Sequence, residues 1–283
     1  MNTVLVLTAL TLREAVRRRV LWALGLLSVA LLGLSAWGLS RLAGVEHSVG
    51  GLTGLQARLV ASQLLNLVMF GLSLIGALGT AFLAGPTLAG EVESGVVLAV
   101  LARPVRRWQL LLGKWLGLVT FGCGYVVVAG LAELLVVRAT VNYWPHDPVG
   151  GLALLAVQTL TLLTLALLLS SVISPLASGI VSVGLFGAAW VAGVVGGVGA
   201  ALDNAGVERV GTVSRAVLPT DGLWHGAMDA FQDPAAIAQF PLARTGNPFM
   251  AQAPASIGYL VWVAVWIAVV WALTALSFHR RDL

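Results

Sequence analysis

Charges along this chain are separated by apolar intervals of a length that membranes select. A helix rises about 1.5 Å per residue, so crossing a hydrocarbon core about 30 Å thick takes about 20 apolar residues. The interval between Arg19 and Arg41 has 21 uncharged residues, and that between Arg58 and Glu91 has 32. A third interval, from Lys114 to Arg138, is interrupted only by Glu133. From Pro148 to Leu202 there are 55 uncharged residues, too many for one crossing. Proline ends helices and serine suits turns, so the run Ser170 to Pro175 divides that interval in two. A last apolar run, from Ala255 to Phe278, carries Trp262, Trp266 and Trp271. The pattern predicts six spanning helices over residues 20–40, 60–85, 110–137, 149–172, 176–201 and 255–278, in one transmembrane domain covering 1–283.

Composition excludes the alternatives. The 283 residues are 59% hydrophobic and 10% charged, against about 45–50% and about 25% in soluble domains. So few charged side chains cannot cover a water-soluble fold of this size, and disorder is excluded by the same numbers. A disulfide scaffold is excluded because Cys123 is the only cysteine. The fold class is therefore an all-α polytopic membrane protein.

The net charge of +4 would suggest nucleic acid in a soluble protein. Here its placement matters more, and no nucleic-acid partner is expected. With the N-terminus inside, the inner segments hold Arg13, Arg17, Arg18, Arg19, Arg103, Arg106, Arg107, Lys114, Arg280 and Arg281, ten of the 16 basic residues. The outer segments hold the other six, with seven acids. The positive-inside rule then predicts cytoplasmic termini and an extracytoplasmic segment over 202–254. No cleaved signal peptide is expected, since the first apolar run is long and the 19 residues before it make a poor leader. Those residues place Leu5, Ala9, Leu12 and Val16 on one helical face before a basic cluster, the pattern of an interfacial helix on anionic lipid.

The inner segment 86–108 is the most patterned connection. Glu91 and Glu93 precede a short apolar run; Arg103, Pro104, Arg106 and Arg107 follow it. Acids at a helix start and cations past its end suit the helix dipole. The positive-inside rule accounts for the arginines but not for the acid pair.

Glu91-x-Glu93-x-Gly95, Leu-Ala-Arg103-Pro104-Val105-x-Arg107-Trp108 and Leu112-Gly113-Lys114-Trp115-Leu116-Gly117 together resemble the ABC-2 type permeases, the transmembrane subunits of type V ABC exporters. The stretch Leu218-Pro219-Thr220-Asp221-Gly222-Leu223-Trp224 and the ending Phe278-His279-Arg280-Arg281-Asp282-Leu283 are similar to the branch linked to multicopper-enzyme maturation. One departure is Val96, where many members carry threonine. The resemblance implies that residues 86–108 form a cytoplasmic coupling helix docking on a separate ATPase. Glu91, Glu93, Ser94, Gly95, Arg103, Pro104, Arg106 and Arg107 would make that interface. It also implies two ATPase copies carrying ATP and Mg, and a second copy of this chain or a related permease. Consistently, Gly113-Lys114 lacks the spacing of a Walker A sequence, and none occurs elsewhere, so no nucleotide cradle of that kind and no cofactor is expected in this chain.

Span five carries two neighbouring stripes of small residues: Gly184, Ala188, Ala192, Gly196 and Ala200, then Ala189, Gly193, Gly197 and Ala201. Such stripes let helices approach closely, within one subunit or between two. In the related exporters the path lies between spans two and five of facing subunits. That favours Ala192, Gly193, Gly196 and Gly197 as its wall, with Gln63, Asn66 and Ser73 of span two as polar points or as packing contacts.

Residues 220–232 alternate by face, with Leu223, Trp224, Ala227, Met228 and Phe231 opposite Asp221, His225, Asp229 and Gln232. Asp221, His225 and Asp229 form one row of possible metal ligands, but a further donor is missing. A helix resting on the outer leaflet explains the row better, and short outer helices here would be open to an extracytoplasmic partner. Glu133, the one carboxylate inside a span, is a functional candidate by default. Its position five residues before Arg138 favours snorkelling to the outer surface. Four methionines and one cysteine leave soft copper ligands scarce, which disfavours a copper channel.

The leading function is the membrane subunit of an ATP-driven exporter of unassigned substrate in the inner membrane. An ion-coupled secondary transporter predicts buried charges and broken midplane helices, which the sequence does not suggest. A scaffold that transmits ATPase motion without transporting is the third alternative.

Overall fold

The computed structural model describes residues 3–17, 20–46, 54–85, 87, 90, 106–239, 249–251 and 253–280. The elements are α1 (Thr3–Arg17), α2 (Val20–Glu46), α3 (Gly54–Gly85), α4 (Arg107–Val141), α5 (Pro148–Val172), α6 (Pro175–Ala201), α7 (Ala205–Val217), α8 (Thr220–Phe231), α9 (Pro234–Gln239) and α10 (Ile257–Arg280). Six of them, α2 to α6 and α10, are long and apolar enough to cross a membrane.

Local chemistry sets several boundaries. Asn142 takes the left-handed conformation at φ 50° and ends α4, a backbone state that asparagine tolerates. Asp147 opens α5 by accepting the Gly150 N–H at 2.9 Å on its carboxylate, with Pro148 supplying a first-turn position that needs no donor. Ser174 is extended at the N-cap of α6 without a side-chain cap bond and Pro175 fills the first turn, so the 55-residue interval breaks at its one internal proline. Asn204 caps α7 by accepting from the backbone of Gly206 and Val207 at 3.1 and 3.2 Å.

Helices α3 and α5 are the central pair. Both touch α4, α6 and α8; α2 lies across α3 and α4, and α10 lies on α5. The outer helices expose Trp22, Leu26, Val29 and Leu34 of α2 and Val261, Val265, Val269 and Leu276 of α10, as expected of surfaces whose solvent is lipid.

The α1 end of the bundle is closed by contacts between chain-distant pieces. α1 sits on α4 at Gly113 and Gly117, where an added Cβ would fall 2.5 Å from Leu7 Cβ and 2.7 Å from Thr11 Cβ. Leu5, Ala9 and Val16 face away from the bundle, leaving that face of α1 to lipid. The Arg107 guanidinium donates at 3.0 Å to the His279 carbonyl and joins the start of α4 to the last turn of α10.

At the opposite end α7, α8 and α9 form a cap. Here one expectation is corrected: α8 does not rest on a leaflet. Leu223, Trp224, Ala227, Met228 and Phe231 are buried, and so are Asp221 and Gln232 on the side read as wet. The helix is wedged among the ends of α3, α5 and α6. Phe70 receives it with ring centroids 5.4 Å from Trp224, 4.9 Å from Trp190 and 5.7 Å from Phe249. The Tyr143 hydroxyl donates at 2.8 Å to the Phe231 carbonyl. Burial holds that phenol well above its ordinary titration range, so it stays a neutral donor. α10 grips the cap through the indole nitrogens of Trp262 and Trp266, which donate at 3.1 and 2.8 Å to the carbonyls of Ala216 and Val217.

A second correction concerns Glu133. It does not snorkel but is fully buried between α4 and α2, where Ser35 Oγ donates to Glu133 Oε1 at 2.5 Å. Arg138 turns instead to the ring of Trp144, 5.3 Å from its centroid.

Candidate functional site

The polar residues of span two face into the subunit. Gln63 Nε2 meets Met250 Sδ at 3.7 Å, and Asn66 Nδ2 donates to the Phe249 carbonyl at 3.2 Å. Ser73 donates at 2.9 Å to Gln158 of α5, whose amide continues at 3.2 Å to the Thr220 carbonyl. These side chains stitch α3, α5 and α8 together, the gluing role of buried polar groups in membranes. Gln158 was missed by the sequence reading. Its signal was available: it is the one amide side chain in the long uncharged interval.

The small residues of span five divide by direction. Gly193 lies under the Asp221 carboxylate, and an added Cβ on Gly196 would fall 2.7 Å from Gly211 Cα of α7. Gly184, Gly187 and Gly197 have nothing within 4 Å of such a Cβ. Gly193 and Gly196 are therefore small because α8 and α7 of the same subunit press on them.

The cap holds the densest charge cluster among the described residues. Arg215 Nε donates at 2.8 Å to Asp221 Oδ2, whose side chain is fully buried. His225 Nδ1 lies 2.9 Å from the Asp221 carbonyl and 3.5 Å from Oδ1. With the Asp221 carbonyl accepting from Nδ1, the bare Nε2 faces Arg215 Nη2, 3.4 Å away. This arrangement neutralises charge within the cap. Among the described residues no three His, Cys, Asp or Glu side chains converge on a metal position, and Asp229 does not join the cluster. Arg215, His225 and Tyr259 line a cavity of about 430 Å³ whose floor is Gly193, Gly196 and Gly197.

At the α1 end, Glu91, Glu93, Ser94, Gly95, Arg103 and Pro104 lie outside the described residues. Arg106 is exposed, with its backbone N–H donating at 3.1 Å to Gln109 Oε1. Lys114, read from sequence only as an inner charge, is buried with Nζ 2.8 Å from the Thr87 carbonyl.

Six apolar helices, with a patterned 21-residue connection between α3 and α4 at one end and short helices closing the other, form a layout that comparison can assign. The ABC-2 family transporter protein family matches residues 5–283, nearly the whole chain. The chain belongs to the ABC-2 transporter family. The Probable ABC transporter permease protein NosY of Stutzerimonas stutzeri is 32% identical over 142 residues, which cover 47% of this chain and 48% of that protein. The chain thus spans about half the length of the curated relative it matches. Its family and its six long apolar helices make this ABC-2 protein a multi-pass membrane protein of a transporter family.

Proposed function

We propose that this permease moves its substrate outward, driven by two copies of a separate ATPase that dock on residues 86–108, and that it pairs with a second copy or a related permease. The observation that carries the reading is positional. The chain leaves α3 and re-enters α4 at the α1 end, the end to which the sequence assigns ten of 16 basic residues. That end is then cytoplasmic. ATP and Mg would be held by the ATPase, since this chain carries no Walker A sequence. The open side of α6, at Gly184 and Ala188, is the surface left for a facing copy.

Sidedness is checked by cysteine labelling in a Cys123→Ala background. A cysteine at exposed Val210 of α7 is expected to react with an impermeant maleimide from the extracytoplasmic side. Reaction only from the cytoplasmic side would reverse the topology.

Docking is checked by reversing two charges. Glu91→Lys/Glu93→Lys is expected to weaken co-purification of the ATPase while the spans still insert, because added positive charge favours the inner side. Rim charges govern association rate and salt dependence, whereas a desolvated contact costs about 2–5 kcal/mol when broken. Measurement at two salt concentrations separates these cases. Normal capture and normal ATP turnover at both would reduce the segment to a connector.

A further inference from the structure

The end of α3 is held more tightly than a helix leading into a loop requires. The last carbonyls of any helix lack intrahelical partners and ordinarily turn to water or to a cap. Here the last of them, and the Thr87 carbonyl just beyond the helix, are taken by side chains from other spans. Ser170 Oγ of α5 donates at 2.7 Å to the Gly85 carbonyl, and Lys114 Nζ of α4 donates at 2.8 Å to the Thr87 carbonyl. Gly85 also presses against the backbone of Pro175, where α6 begins. Within residues 85–87, α3 is thus gripped by α4, α5 and α6 just before the chain enters the connecting segment.

Lys114 is the charged member. It is the eighth residue of α4, about 10 Å from the helix start, and only 4% exposed. A lysine near a membrane interface ordinarily extends its stem so that the ammonium reaches the headgroups. This one turns inward. The ammonium contributes a charge-assisted bond to a main-chain carbonyl, which no apolar residue can make. The same turn of α4 carries Gly113 and Gly117, the seat of α1.

We infer that Lys114 and Ser170 are positioning residues forming a relay, which fixes the exit of α3 at Gly85 and Thr87 to α4 and α5 so that displacement of that exit reaches the cap. The inference rests on the docking reading above. From α5 the connection runs on through Gln158, which bonds both Ser73 of α3 and the backbone of Thr220 at the start of α8. A push on residues 85–87 is therefore transmitted along a span that holds the cap directly.

The test uses the permease with its ATPase in nanodiscs. Hydrogen exchange is followed in the cap, residues 205–231, with and without ATP, Mg and vanadate. In the wild type, trapping is expected to change cap exchange at least threefold. Lys114→Gln and Ser170→Ala are each expected to bind the ATPase within twofold of wild type yet lose more than half of that change. Lys114→Arg, which keeps a cation donor, should retain most of it. A merely structural role would instead raise cap exchange without nucleotide and leave the nucleotide response in place. Ser170→Ala removes one hydroxyl and decides the matter if Lys114→Gln does not fold. A full wild-type response in either folded variant, or no response in a wild-type complex that binds its ATPase, overturns the relay. A wild-type permease that binds no ATPase overturns the docking reading itself.

Discussion

Replacing Gly199 with valine is expected to detach α7 from α6. A Cβ at residue 199 would fall 2.5 Å from the Glu208 backbone nitrogen and 2.7 Å from the Val207 carbonyl carbon. Both obstacles are main chain, so no rotamer change relieves the clash. Overpacking typically costs about 1–3 kcal/mol, and an unyielding neighbour puts this site at the upper end. The control is Gly197→Val two residues earlier, where nothing lies within 4 Å. Exchange in residues 205–217 is the measurement, with roughly 30- to 150-fold acceleration expected in Gly199→Val for a loss of about 2–3 kcal/mol. Gly197→Val should match wild type in the isolated subunit. Equal protection in both variants would mean that α7 is not seated as described.

Removing Arg215 is the second large effect. The Asp221 side chain is fully buried, Arg215 is its short-range cation, and His225 faces it only at 3.5 Å. Arg215→Met leaves a carboxylate in an apolar cap. Breaking a buried pair from one side costs about 3–5 kcal/mol, and the side chain of Arg215 is 36% exposed, which places the loss near about 3 kcal/mol. Arg215→Met/Asp221→Leu should recover part of it, because two apolar groups leave no charge stranded. Gly193→Ala should resemble Arg215→Met, since an added methyl occupies the place of the Asp221 carboxylate. Thermal unfolding in detergent checks the series. A double variant less stable than Arg215→Met would show that the charge is not what destabilises.

The spans were legible because the bilayer imposes a length, and Pro175 and Asp147–Pro148 mark helix starts by rules local in sequence. What was not legible depends on partners from other helices. Asp221 and His225 suggested a wet face because their neutraliser, Arg215, comes from α7. Lys114 was counted only among the inner charges at the start of the span 110–137, and the captured Thr87 carbonyl reveals it as interior. Glu133 was misread for the same reason, its hydroxyl partner Ser35 lying 98 residues away. The small residues of span five were visible as a pattern, but nothing local indicates which turn of the stripe meets α7 and which stays open.

The stitching of α3 also bears on how the protein is made. Its amide at Asn66 is paired with the backbone of Phe249, 183 residues downstream, and Ser73 is paired with Gln158, 85 residues downstream. During synthesis α3 therefore resides in the bilayer with its polar face unanswered until α5 emerges. It gains its last tie only when the stretch before α10 arrives. The central helix of the finished bundle is one of the first to be inserted and the last to be completed.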